Sequence, residues 1–197
     1  MADDLFERAV AGIDDANADD PNTIVARGET RPKEQAHAEL MTEWVRRLDP
    51  DATDAQLLAA RAHHLRRWTV PRATFPEGRA GYLRWRTTLK KQHGEDVARI
   101  LGDVGYDADS VARVVQIVRK ENLRIDPAVQ THEDALCLVF LETQLTELIE
   151  QLGDEKAVDV VRKTVAKMSD RAISIAAGLP MTDGDRRVVE RATTTAT

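Results

Sequence analysis

The chain of 197 residues has one cysteine, Cys137, and it lies inside the longest uninterrupted apolar run, Ala135 to Leu141. A lone thiol excludes a disulfide framework and a thiolate-rich metal site, so any metal must be held by histidine and carboxylate. A run that short cannot span a bilayer. The amino terminus, MADDLFERAV, lacks the basic and then apolar order of a secretory leader, and the expectation is a cytoplasmic protein with no membrane partner. Aromatic residues are scarce at 4% yet include three Trp, and low complexity is confined to the Thr-rich end, which excludes wholesale disorder and fibrous repeats. Strict alternation with β-branched residues is missing too, so no segment reads as a strand.

What is present is helical periodicity. It predicts an all-α protein, a single-domain helical bundle over residues 1–192 with a frayed tail at 193–197. Helices are expected at about 3–16, 32–48, 53–68, 80–101, 107–121 and 132–152, with two or three more between 155 and 191. Thr53 with Gln56, Asp107, and Thr131 with Asp134 read as caps, and Gly105 as a stop. Segment 69–79, carrying Pro71, Pro76 and Gly78, is the one long irregular stretch inside the bundle. Its length and its arginines predict a mobile lid over a site.

Charge is unevenly spread. Net charge is -6, but residues 61–91 hold Arg61, Arg66, Arg67, Arg72, Arg79, Arg84, Arg86, Lys90 and Lys91 against one acid, Glu77. A positive field focused on one part of an acidic body predicts a small anionic ligand, unless acidic helices elsewhere pair with it.

The five histidines sort by helical wheel. His37 falls among Leu40, Met41, Trp44, Val45 and Leu48, facing inward. His64 lies at the border of the face set by Leu57, Leu58, Leu65 and Trp68, with His63 nearly opposite. On the next helix Tyr82, Leu83, Leu89, Val97, Ile100 and Leu101 define the apolar face, and both His93 and Arg86 fall in its middle. Glu142 sits in the stripe of Ala135, Leu138, Leu145 and Ile149, where an ionised carboxylate needs a partner. His132 is expected at a cap and exposed. Inward His37, His64, His93, Arg86 and Glu142 on separate helices are what a polar site in a bundle requires.

The stretches AARAHHLRRW, LKKQHGEDVARILGDVGYD and VRKENLRIDPAVQTHEDALCLVFLE resemble a divergent form of the HD-domain phosphohydrolase pattern. Nearly the whole chain also resembles an uncharacterised family, domain of unknown function 4202, through PNT near Asn22, RRW at Trp68, GRAGYLRWR from Gly78, RKxNL ending at Leu123 and LVFLE ending at Glu142. The HD resemblance implies an all-helical fold and a metal site built from His37, His64, His93 and Glu142, with His64 and Glu142 as catalytic groups. Two departures stand out: His64 occupies the place of the superfamily's paired Asp, and the late acid is Glu where the superfamily has Asp. Histidines with one Glu suit Zn, Fe, Mn or Ni better than Mg.

Three functions follow as expectations. The first is a metal-dependent hydrolase of a small phosphorylated or nucleotide-like anion, with Arg67, Arg79, Arg86 and Lys90 binding substrate. The second is a regulatory module that binds an anion in the same pocket, with or without metal, and breaks no bond. The third is an RNA-binding helical protein using Arg66, Arg67, Arg72, Arg84 and Trp85, against which the overall acidity counts.

Overall fold

Ala9, Ile13 and Ala16 recur at helical spacing and are buried along one face of α1 (Ala2–Ala18) in the computed structural model of the chain, which describes residues 2–194. Residues 195–197 of the tail expected to fray lie outside the described residues. The fold is all-α apart from one hairpin, β1 (Thr23–Ala26) and β2 (Glu29–Pro32), paired antiparallel in the register Ala26↔Glu29. That hairpin corrects the expectation that no segment forms a strand. Its two-residue turn, Arg27-Gly28, has φ of 52° and 86°, the left-handed pair that a tight hairpin demands. Four-residue strands with only Ala26 buried carry no alternating apolar signal.

The helices fall into two units, one running to His132 and one beginning at Glu133. In the first, α2 (Lys33–Leu48), α3 (Asp54–Arg61), α4 (Gly78–Val104) and α5 (Ala108–Val118) follow the hairpin. The backbone N–H of Glu34 donates to the buried Asp20 carboxylate at 2.9 Å, satisfying the first turn of α2 where Pro32 offers no side-chain cap. Thr53 and Gln56 form the expected capping box of α3, and Asp107 caps α5 by accepting from the Ser110 N–H. Gly105, at φ 108°, ends α4 as the N–H groups of Gly105 and Tyr106 both return to the Leu101 carbonyl. Ile13, Leu58, Leu65, Val97, Leu101, Val114, Ile117 and Val129 fill the core beneath these helices, each large side chain contributing about 1.5–3 kcal/mol on burial.

Two expected boundaries and one expected helix face move. Helix α3 stops at Arg61 instead of reaching residue 68, because His64 and Arg66 take left-handed φ of 63° and 51°. Helix α6 spans Pro127–Thr143 and begins five residues before the expected start. Asp126 accepts from the Ala128 N–H at 3.0 Å and Pro127 fills the first helical position, while Thr131 donates to the Pro127 carbonyl from within the helix. On α4, Tyr82 and Leu83 are exposed, at 44% and 53%, where an inward face was expected; Gly81, Trp85 and Leu89 are the buried positions there.

In the second unit, α7 (Leu145–Leu152), α8 (Asp154–Val165), α9 (Asp170–Ala177) and α10 (Asp183–Thr194) follow the end of α6. Buried Val158, Val161, Ala172 and Val188 join them. Ser169 donates to the Asp134 carboxylate through both its N–H and its hydroxyl, and Thr146 and Thr182 donate to Asp185. Among the described residues, no helix is long and apolar enough to cross a membrane.

Candidate metal centre

Helix α2 is regular through its middle, so His37 keeps the inward orientation of its wheel position and is 4% exposed. His63 and His64 lie just beyond the last residue of α3, where the chain unwinds. The left-handed turn at His64 turns both rings of the pair toward α2, which a continued helix could not do. His37 stacks on His64 with centroids 4.7 Å apart and planes 8° from parallel, and His63 lies 4.0 Å from His64. Donor atoms of His37, His63 and His64 all fall within 4.8 Å of one another. His93, on α4, adjoins the group with its centroid 6.0 Å from His64, and His132, on α6, meets His63 edge-on at 4.9 Å. Every histidine of the chain therefore belongs to one cluster.

Hydrogen bonds assign the protons. His93 Nδ1 lies 2.8 Å from the Leu65 carbonyl, an acceptor only, so Nδ1 carries the hydrogen and Nε2 is left as an acceptor. His63 Nδ1 and His132 Nε2, 3.0 Å apart, share one proton. The Nε2 atoms of His37, His63 and His93 are buried without a hydrogen-bond partner, as is Oε2 of Glu34, which lies 3.4 Å from His64 Nδ1. Burial, reinforced by the charges of Arg67, Lys33 and Lys120, lowers His37 to a pKa of about 3. Burial first, and then neighbouring histidines and cations, holds His63 and His64 well below the usual value. His93 falls to about 4 for the same first reason, partly opposed by its bond to Leu65. Burial raises Glu34 to about 7 against the pull of Arg67. The imidazoles are thus neutral at pH 7, the form that ligates metal.

Buried ring nitrogens without a hydrogen-bond partner are costly, and a cation held by His37, His63 and His64 would satisfy those of His37 and His63. This donor set fits a divalent transition metal of the Zn, Fe, Mn or Ni type. Donors up to 4.8 Å apart would close in slightly around it, since two ligands each about 2.1 Å from one ion are at most roughly 4.2 Å apart.

A small cleft opens beside the histidines, lined by His63, His64, Arg67, Arg86, Leu89, Lys90, His93, Val118 and Lys120. Arg67 lies over the Trp85 indole at 4.7 Å, which fixes its guanidinium at the rim. Arg61 pairs with Asp14 at 2.5 Å and Lys91 with Glu95 at 3.7 Å. Among the described residues, Arg66, Arg67, Arg72, Arg79, Arg84, Arg86 and Lys90 have no carboxylate within ion-pair distance. Most of the basic segment is therefore uncompensated.

Of the residues singled out by sequence, His37 and His64 lie in the triad, and His93, Arg67, Arg86 and Lys90 line or adjoin the same cleft. Arg79 is exposed on the first turn of α4. Glu142 is half-buried near the end of α6 in the second unit, and the metal-capable group does not include it. Trp85, expected among the nucleic-acid contacts, is instead buried and donates to the Val70 carbonyl at 2.9 Å. His132, expected exposed at a cap, is 1% exposed in the middle of a helix turn. Wheel reasoning missed His63 because it continued α3 past its end, and missed His132 because it started the helix at residue 132. Glu34 was legible: it precedes His37 by three residues and so shares its helix face.

A family model described as Domain of unknown function (DUF4202) matches residues 7–189. No curated protein and no solved structure matches the chain.

Proposed function

The chain belongs to the DUF4202 family, whose description carries no reaction, and from the chemistry of the site we propose an HD-like, metal-dependent hydrolase of small phosphorylated or nucleotide-like anions. The observation that supports this most is one juxtaposition: unpartnered Nε2 atoms of buried, neutral histidines beside a cleft rimmed by uncompensated Arg67, Arg86 and Lys90. His37, His63 and His64 would hold the ion, which supplies Lewis-acid polarisation and a water nucleophile active at neutral pH.

The rest belongs to side chains of this protein. Arg67 and Arg86 offer paired N–H donors to the phosphoryl oxygens, and Lys90 adds a mobile charge at the rim. His93 presents Nε2 as a proton acceptor on the cleft side, its ring held by the Leu65 carbonyl. We assign to Glu34 the carboxylate role expected of Glu142: it lies against His64, and its raised pKa lets it take or release a proton near neutrality. A second reading, an anion-binding regulatory module, uses the same rim and is favoured by His64 standing where the HD pair has Asp.

Elemental analysis of protein purified without a polyhistidine tag, with hydrolysis of p-nitrophenyl phosphate before and after chelation, tests the proposal. We expect a stoichiometric transition metal, and activity that chelation removes and His37→Ala or Glu34→Gln abolishes. Metal without activity would support the regulatory reading, and no metal would end the first one. Glu142→Gln is expected to leave both metal content and rate within about twofold of the parent.

A further inference from the structure

The first half of α4 carries a row of cations that runs beyond the cleft of the histidine centre. Arg79, Arg86 and Lys90 are spaced at seven and four residues, so they fall within about 40° of one another on the helix and span about 16 Å along it. None has a carboxylate partner among the described residues. Tyr82 and Leu83 flank this stripe and are exposed at 44% and 53%, which is unusual for side chains of their size. Tyr82 lies 5.8 Å from the Trp85 ring, whose other neighbour is the Arg67 guanidinium, so the exposed phenol stands on a fixed aromatic base. Further along α4, Val97 and Leu101 on the same face are buried, which confines the basic stripe to the helix's first half.

One phosphate would need only the cleft residues Arg67, Arg86 and Lys90. Arg79 lies two turns beyond Arg86, about 10 Å along the axis, out of reach of that phosphate. A row of cations on a single helix with an upstanding aromatic among them matches the chemistry of single-stranded nucleic acid. Its phosphates follow one line of charge, and its unstacked bases are free to lie on an aromatic face. A duplex keeps its bases stacked away from Tyr82, and an inorganic polyphosphate has nothing to place there.

We propose that this face of α4 binds single-stranded nucleic acid, with backbone phosphates on Arg79, Arg86 and Lys90 and a base on Tyr82. The proposal goes beyond the metal-dependent reading, shares Arg86 and Lys90 with its rim and needs no metal, so binding is measured with full-length protein in excess chelator.

The probe is a fluorescein-labelled RNA of twelve uridines, followed by anisotropy over a range of salt concentrations. Binding should weaken as salt rises. Arg79→Ala should reduce the slope of log K against log salt by about 0.7, the value for one phosphate contact on a single strand. Tyr82→Ala should weaken binding roughly tenfold and Tyr82→Phe restore it. Both positions are exposed, so both variants should keep the parent's melting temperature, and metal uptake, measured separately, should be unchanged. The proposal is overturned by binding that neither variant alters, by equal affinity for a duplex of the same length, or by tripolyphosphate competing as well as the RNA. His37→Ala, which lies off the stripe, must keep the parent's RNA affinity in chelator, and a loss of affinity there would overturn the proposal.

Discussion

His63 receives a hydrogen bond from His132 Nε2, or donates one to it, over 3.0 Å, and either way the contact fixes which His63 nitrogen faces the triad. When His63 ligates through Nε2, its Nδ1 hydrogen must have an acceptor, and His132 is that acceptor. His132→Ala should therefore weaken zinc binding about 10- to 100-fold in a chelator competition, while His37→Ala abolishes it. Equal zinc affinity in His132→Ala and the parent would show that the contact positions nothing. His37, His63, His64 and His93 set a pH dependence. Their folded pKa values are lowered, so between about 3 and 6.5 the unfolded chain binds more protons, and stability is lost as pH falls. His37 alone costs about 2 kcal/mol between pH 7 and pH 5. Glu34 acts oppositely, its raised pKa removing stability as pH rises from 4.5 to about 7, but it is one group against four. Metal-free protein should melt at a lower temperature at pH 5 than at pH 7, and an equal or higher midpoint would contradict the assignment of buried neutral rings. At this scale the sequence was partly legible: His37 and His93 faced inward by spacing alone. His63 and His64 did not, because their orientation depends on a left-handed residue that periodicity does not encode.

Segment 69–79 shows what an element can and cannot reveal from composition. Its prolines and glycine predicted irregular chain, and short 3₁₀ turns at Arg67–Thr69 and Arg72–Thr74 fit that description. Its attachment was not predictable. Trp85 donates to the Val70 carbonyl, Gln92 donates to the Thr69 hydroxyl, and the backbone at Pro76 passes so close to α4 that a Cβ on Gly81 would lie 1.8 Å from the Pro76 carbonyl oxygen. Gly81 is therefore required for close approach, and its φ is not the reason. Gly81→Ala must push the segment off α4, with a cost of about 1–3 kcal/mol in denaturant unfolding. It should also bring new proteolytic cuts at Arg72 and Arg79. An unchanged midpoint with no new cuts would mean the segment is held elsewhere. Caps were the most legible elements, since Thr53, Gly105 and Asp107 act through local chemistry. The start of α6 was placed too late, because an Asp-Pro pair such as Asp126-Pro127 serves a turn and a helix start equally well.

For the molecule as a whole, the triad draws its ligands from α2 and from the chain between α3 and α4, and His93 on α4 and His132 at the end of the first unit lie against it. An ion held there binds only when these segments are folded together, so its binding free energy is folding free energy. At a free zinc concentration about 1,000 times the dissociation constant, the added stability is about 4 kcal/mol. For a chain of this size that raises the melting temperature by roughly 10 °C. The gain should be local. Amide exchange should slow around His37 on α2, at His63 to Leu65, and along α4 near His93, while α8 and α10 of the second unit exchange at unchanged rates. His63→Ala should exchange like the metal-free parent in both conditions. A rise in melting temperature that persists in His63→Ala, or protection spread evenly over both units, would place the ion somewhere other than the histidine cluster.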